Sequence, residues 1–257
     1  MNLAETEKII NSLIDTFVHT GKLSLDLRKK GLEKKIKSDN TSVTNADIEV
    51  NKIITKKISN LTPNIKIVSE ETSSNKENDK LSDFWLIDPI DGTHGYIHGK
   101  DEFTINAALI LNKKPVAGII NAPDKDRLFY SYGSSNSYEI NNGLKTKLIC
   151  EKKSKQNEIN AISYSNQLKP EIIEIHKKYN ITNFTKMKSS LKFCVIASGE
   201  YDFYAAEPRA QEWDIAAGHA ILEHAGGIIT DFNDNEICYG KKNFKNTSII
   251  LRREKYL

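Results

Sequence analysis

Strands alternating with helices in both halves of the chain predict an α/β (α+β) fold. Two observations sharpen that expectation. The apolar run Phe84-Trp85-Leu86-Ile87 ends in Asp88-Pro89-Ile90-Asp91-Gly92-Thr93, a buried strand delivering two carboxylates to its C-terminal end, where α/β sheets place their ligands. Amphipathic segments flank it on both sides, each able to cover one face of a sheet.

In chain order, residues 4–30 form a long amphipathic helix with Ile9, Ile10, Leu13, Ile14, Phe17 and Val18 on its apolar stripe, and the basic run Arg28 to Lys37 closes it as a solvated face. Thr44-Asn-Ala-Asp47 reads as a capping box that opens a second helix carrying Ile48, Ile53, Ile54 and Ile58. Ile65 to Val68 is a strand ending in Ser69-Glu70-Glu71, and a polar loop over 72–83 leads into the strand at 84–87. Phe103 to Leu111 and Val116 to Asn121 pair across the Asn112–Pro115 turn, and Leu128 to Ser131 follows. The lysine- and asparagine-rich stretch 141–158 marks the expected boundary between an N-terminal α+β lobe, 1–150, and a C-terminal α/β lobe, 151–257. Beyond it come a strand near 160–163, helices near 170–179 and 190–198, and a helix from Asp214 to Ala225 ended by Gly226-Gly227.

Composition narrows the function classes. A net charge of +3 over 257 residues leaves no basic footprint for a nucleic acid polymer, and no apolar run approaches membrane length. Three scattered cysteines (Cys150, Cys194, Cys238) lack metal-ligand spacing and favour a reducing compartment. A polar, acidic N-terminus is unlike a signal peptide, so a cytoplasmic protein is expected.

Five acids stand at element boundaries: Asp47, Glu70, Asp88, Asp91 and Asp214. Singly each has a bland account: Asp47 completes a capping box, Glu70 is a solvated turn residue, and Asp214 N-caps a helix. Asp88 and Asp91 are harder to dismiss. Pro89 fixes the backbone between them, their charges repel, and a divalent cation is the usual compensation. The Gly92-Thr93 amides beside them suit a phosphate.

These residues resemble the inositol monophosphatase superfamily of magnesium-dependent, lithium-sensitive phosphatases. The likeness rests on Asp88-Pro-Ile-Asp-Gly-Thr93, on Trp213-Asp214-Ile-Ala-Ala-Gly218 followed by Ala225-Gly226-Gly227, on Glu70-Glu71 after a strand, and on Val43-Thr44-Asn-Ala-Asp47. Lys37-Ser-Asp39, Gly99 to Asn106, Ser189-Ser-Leu-Lys192-Phe-Cys and Tyr239 to Asn246 are similar to its 3'(2'),5'-bisphosphate nucleotidase branch. The chain departs from that branch at His94-Gly95-Tyr96, where Lys-Glu-Phe is usual, and at Ser42-Val43, which lacks a proline. It departs again at Ser163-Tyr-Ser-Asn166, where Ser-Arg-Ser-His is usual, and at Ala206-Glu-Pro-Arg209, where Tyr-Pro-Arg is usual. These positions lie where the family holds its leaving group.

The resemblance implies a layered α-β-α-β-α sandwich of the inositol monophosphatase/fructose bisphosphatase type. It implies two to three magnesium ions: one on Glu70, Asp88 and the carbonyl of Ile90, one on Asp88, Asp91 and Asp214, and a weaker third on Glu70 through water. Thr93, bonded to Asp47, is the implied proton relay, with Gly92 and Thr93 amides on the phosphate. The implied reaction is hydrolysis of adenosine 3',5'-bisphosphate to AMP and phosphate, linked to sulfur metabolism. An inositol or sugar-phosphate phosphatase is the alternative, fructose bisphosphatase a distant third, and a non-catalytic relative would be expected to have lost a carboxylate or Thr93. Lys192 is the candidate contact to a second phosphate, against a solvated lysine. Arg209 is an anion contact or a surface ion pair. His219 and His224 read as structural, and the roles of His94 and His98 stay open. Family members are often dimers, and no residue pattern here decides oligomeric state.

Overall fold

A computed structural model describes residues 1–36, 42–71, 81–150 and 158–254. Lys37-Ser-Asp39, most of the polar loop over 72–83 and residues 151–157 of the expected lobe boundary therefore lie outside the described residues. In chain order the elements are α1 (Leu3–Lys30), β1 (Lys34–Ile36), β2 (Ser42–Thr44), α2 (Asn45–Leu61), β3 (Lys66–Ser69), β4 (Phe84–Asp91), α3 (Thr93–Ile97), β5 (Thr104–Leu111), β6 (Lys114–Ala122), β7 (Arg127–Ser131), β8 (Ser137–Asn141), β9 (Leu144–Lys147), β10 (Ala161–Ser163), α4 (Pro170–Lys178), β11 (Phe184–Lys186), α5 (Leu191–Ala197), β12 (Phe203–Ala206), α6 (Glu212–His224), β13 (Ile228–Thr230) and β14 (Ile249–Arg252).

Two sheets organise the chain. Seven strands run in the order β3-β4-β5-β6-β7-β8-β9, and five in the order β11-β10-β12-β14-β13. Alternation along β4 explains how the layers stack, because successive side chains face opposite ways. Trp85 and Ile87 enter a core with Ile9, Ile10, Leu13 and Phe17 of α1 and Val50, Ile54 and Ile58 of α2. Phe84 and Leu86 enter a second core with α5 and α6, which also takes Tyr204, Ala206, Ile249 and Leu251 from the smaller sheet. The far face of that sheet, through Phe203, Ala205 and Ile250, packs on Ile172 of α4. The result is the expected α-β-α-β-α stack. Each fully buried Ile, Leu or Phe contributes roughly 1.5–3 kcal/mol.

Helix α1 opens on an Asn2–Glu5 capping box and stops at Gly31, whose φ of 102° no helix tolerates. The basic run expected to close it turns instead into β1, fully exposed and paired antiparallel with β2. Strand β4 also differs from expectation. It runs on through the acidic motif to Asp91, because Asp88 pairs with Asn106 and Asp91 with Thr104, three steps on one strand against two on the other. That one-residue bulge matters, since residues three apart on a regular strand face opposite sides. Pro89, which has no N–H to give a ladder, sits inside the bulge.

Helix α6 is pressed against the large sheet at Gly118 of β6. A Cβ added there would lie 2.9 Å from Ala217 Cα and strike the Ala217 carbonyl. Only glycine permits that approach, which sets the depth at which Asp214 is held. No described helix is long and apolar enough to cross a membrane.

Candidate active site

The two halves of the chain supply different acids to one point. Strand β3 lies parallel to β4 with Ser69 opposite Ile87, so Glu70 emerges beside Asp88, and its N–H donates to the Ile87 carbonyl at 3.0 Å. The β4 bulge turns Asp88 and Asp91 to the same side. Helix α6 brings Asp214 across from the other half, and carboxylate oxygens of Asp88, Asp91 and Asp214 all fall within 4.8 Å of one another.

Burial pushes all three carboxyls upward. Asp88 and Asp214 are driven well above the usual carboxylate range by desolvation first, then by neighbouring charges, Glu70 leading at Asp88 and Asp91 leading at Asp214. Asp91 rises less, because Lys192 and the Ser190 N–H both favour its charged form. Two unit charges 4.8 Å apart repel by roughly 3 kcal/mol at an effective dielectric of 20. The charge of Glu70 pushes the same way on Asp47, Asp88, Asp91 and Asp214, which places it at the edge of the triad.

Asp214 is not the cap of α6. Gln211 is the N-cap, and Asp214, one turn in, accepts the Gln211 N–H at 2.7 Å. The helix starts earlier than the sequence indicated because Glu212 is fully buried. Its carboxylate accepts the N–H groups of Gly240 and Lys241 at 2.8 and 2.9 Å and pairs with the Lys241 ammonium at 2.8 Å. Asp47 does complete the capping box: its Oδ2 accepts the Thr44 N–H at 2.8 Å and the Thr44 hydroxyl at 2.5 Å. Its other oxygen faces the Thr93 hydroxyl at 3.5 Å, while that hydroxyl lies 3.0 Å from the Ile90 carbonyl. The Ile90 side chain is buried toward α1 and α2, while its N–H donates to Asp88 Oδ1 at 3.1 Å and its carbonyl faces Thr93. Gly92 takes φ 88°, ψ 33°, a left-handed turn that carries the chain from the acids into α3.

Beside the acids lies a cleft of about 280 Å³ whose wall includes Asp91, Gly92, Lys192, Arg209 and Asp214. Lys192 is not a solvated lysine. It is buried, its ammonium donates to the Ser189 carbonyl and sits 5.2 Å from the Tyr204 ring centre, and burial pulls its pKa down to about 8. Arg209 is exposed and lies 3.8 Å over the Tyr164 ring, with no ion pair among the described residues. His94 lines the same cleft; it and His98 are exposed, their rings 4.4 Å apart, with His98 Nδ1 at 2.7 Å from the His94 carbonyl. His219 bonds Tyr239, and His224 is buried with its pKa lowered to about 4.

Several participants stood inside quoted motifs but were given no individual role from the sequence. Ser190 gives its N–H to Asp91, and its hydroxyl meets Thr104 at 2.7 Å and Asn106 at 2.9 Å, which ties α5 to β5 beneath the acids. Tyr164 and Glu207 line the cleft, their hydroxyl and carboxylate joined at 2.8 and 2.9 Å. Their motifs mark the segments, but which side chains meet depends on contacts across distant elements.

The model of the inositol monophosphatase family matches residues 5–256. A 3'(2'),5'-bisphosphate nucleotidase CysQ of Buchnera aphidicola is 35% identical over 204 residues, 79% of this chain and 76% of that protein. The protein of the same name from Aggregatibacter actinomycetemcomitans is 30% identical over 250 residues, 96% and 93% of the two chains. The crystal structure of CysQ from Bacteroides thetaiotaomicron, a bacterial member of the inositol monophosphatase family, superposes with a TM-score of 0.79 at 25% identity, covering 99% of this chain and all of that one. An IMPase/NADP phosphatase complexed with Mg2+ and phosphate shares the fold, with a TM-score of 0.78 at 18% identity over 99% and 92% of the chains.

Proposed function

Because the chain belongs to the inositol monophosphatase family and is a phosphoric monoester hydrolase, we propose that it removes the 3'(2')-phosphate from adenosine 3',5'-bisphosphate, releasing AMP. The observation that carries this reading is the cleft itself. Two carboxylates, Asp91 and Asp214, line a cavity whose wall also holds three cations, Lys188, Lys192 and Arg209. The carboxylates suit a metal and the reacting phosphate, and the cations suit the remaining anionic charge of a substrate with a second phosphate.

The donor set fits a hard divalent cation. Three carboxylates converge within 4.8 Å under mutual repulsion, with no sulfur or imidazole among them. Asp88, Asp91 and Asp214 would hold magnesium, with Glu70 and the Ile90 carbonyl completing positions for two to three ions. When bound, the metal supplies neutralisation of phosphate charge and a more acidic water at neutral pH.

The chain's own groups do the rest. The Thr93 hydroxyl stands between Ile90 and Asp47, so it can pass a proton to the Asp47 carboxylate. Burial raises the pKa of Asp47, which makes it a better proton acceptor than a solvated aspartate. The left-handed turn at Gly92 opens α3, and the amides of Gly92 and Thr93 would donate to the oxygens of the reacting phosphate. Lys192, buried and with its pKa lowered to about 8, still carries its charge at neutral pH and gains from an anion placed beside it.

A second reading, hydrolysis of an inositol or other sugar-alcohol monophosphate, draws on the small volume of the cleft and on Glu207 in its wall, an acceptor for hydroxyl groups. Phosphorus NMR of the adenosine bisphosphate under turnover separates the two. Loss of the 3' resonance with AMP accumulating, dependent on magnesium, is the expected result. Loss of the 5' resonance, or turnover of inositol 1-phosphate alone, overturns the nucleotidase reading.

A further inference from the structure

Helix α3 and its C-cap carry two imidazoles that the acidic site does not use. His94 and His98 follow the i, i+4 spacing, so they project from one face of the same turn. Both are exposed, with ring centres 4.4 Å apart. His98 Nδ1 lies 2.7 Å from the His94 carbonyl. A carbonyl can only accept, so Nδ1 carries the proton and Nε2 keeps a bare lone pair. An imidazole tied to a carbonyl through one nitrogen and bare at the other is the usual state of a metal ligand. Among the described residues, no group hydrogen-bonds that Nε2 or either ring nitrogen of His94. Two imidazoles side by side on one ion, with metal–nitrogen bonds of about 2.0–2.1 Å, have ring centres roughly 4.5–5 Å apart. Exposed rings at 4.4 Å reach that arrangement by a small rotation.

We propose that His94 and His98 form a two-imidazole site for a borderline-soft divalent cation of the zinc class, separate from the acids that suit a hard cation, and that its occupation obstructs the cleft. Donor chemistry keeps the two sites apart, because imidazole suits zinc, copper and nickel whereas magnesium takes oxygen. Among the described residues, three ligand atoms within 4.8 Å of one another are found at Asp88, Asp91 and Asp214. The histidine site therefore supplies two protein ligands, and water fills the remaining positions. Lys100, Lys186 and Lys188 share a cavity wall with both histidines, and their charge keeps the affinity below that of a closed structural site. His94 lines the catalytic cleft as well, together with Asp91 and Gly92, so an ion held on its ring stands at the edge of that cleft.

The test uses the whole protein with magnesium in excess to occupy the acids. Equimolar Cu2+ is followed by electron paramagnetic resonance, and Zn2+ binding by calorimetry. The copper spectrum is expected to show splitting from two nitrogens, which the acidic site does not contain. His98→Asn keeps an N–H for the His94 carbonyl and removes Nε2, so the fold and magnesium-dependent hydrolysis should stay at the wild-type level. Its zinc affinity should fall by about tenfold or more, and the second nitrogen should leave the copper spectrum. His94→Asn should weaken zinc in the same way. Zinc should inhibit wild-type turnover, and His98→Asn should need about ten times more of it for the same effect. Oxygen ligation alone in the copper spectrum, or zinc affinity that survives both substitutions, overturns the site. Equal inhibition of wild type and His98→Asn overturns the obstruction. The binding measurements need no substrate, so their outcome is independent of which ester the enzyme hydrolyses.

Discussion

Replacing Asp88 by asparagine should make the metal-free protein more stable while ending its activity. Asp88 is 1% exposed, and every charge acting on it, from Glu70, Asp91 and Asp214, is negative. Asparagine keeps the Oδ1 that accepts the Ile90 N–H at 3.1 Å and gains an amide that the surrounding carboxylates can accept. Each like-charged pair at 4.8 Å is worth roughly 3 kcal/mol at an effective dielectric of 20, and part of that is already relieved by raised pKa values, so a net gain of about 1–3 kcal/mol follows. For a chain of this size that corresponds to a rise in Tm of about 2–6 °C. The sign with pH is fixed by direction alone. Carboxyls whose folded pKa lies above the unfolded value stabilise the fold when protonated, and that contribution is lost as pH rises through the folded values. The wild type in EDTA should therefore melt higher at pH 5 than at pH 7, and Asp88→Asn should show a smaller difference. The assay is thermal unfolding in EDTA and in magnesium. Magnesium should raise the wild-type Tm, by about 2.7 kcal/mol of stability at a hundredfold excess over Kd, and leave the variant nearly unmoved. A variant less stable than wild type in EDTA, or equally stabilised by magnesium, refutes the reasoning.

Other predictions follow from single contacts. Thr93→Val keeps the shape but removes the hydroxyl between Ile90 and Asp47, and should lower kcat by about 100-fold or more with Tm unchanged; a loss under tenfold counts against the relay. Lys192→Gln should raise KM for the bisphosphate more than for a monophosphate, and equal effects would remove Lys192 from substrate binding. Because burial holds the pKa of Lys192 near 8, the wild-type preference for the bisphosphate should fade as pH rises from 7 to 9.5, and a flat profile contradicts it. Gly118→Ala forces a methyl against the Ala217 backbone of α6 and should cost about 1–3 kcal/mol of stability, read by denaturant unfolding, and weaken magnesium binding through Asp214; unchanged stability would show that α6 has room to move.

The sequence carried the parts of this molecule that obey a period or a motif. The stripe on α1, the capping box of α2 and the apolar run of β4 each stand out locally, and the motifs at 43–47, 70–71, 88–93 and 213–218 name the acids that the fold gathers. What it concealed depends on pairing across distance. The bulge that turns Asp88 and Asp91 to one side exists because β4 and β5 fall out of step, which no local pattern in β4 announces. Short strands such as β11 and β13, three residues each, are too brief to show alternation. Asp214 looked like a helix cap because the burial of Glu212, held by Gly240 and Lys241, is a contact over 28 residues. Lys192 read equally well as a surface residue, since nothing nearby in sequence predicts that α5 is buried between two sheets.

The central claim is tested most directly by kcat/KM for adenosine 3',5'-bisphosphate and inositol 1-phosphate, measured side by side with magnesium. The account predicts a preference for the nucleotide of at least about tenfold, worth 1.4 kcal/mol of transition-state binding, that collapses in Lys192→Gln. Equal rates, or a preference for the inositol ester, would contradict it.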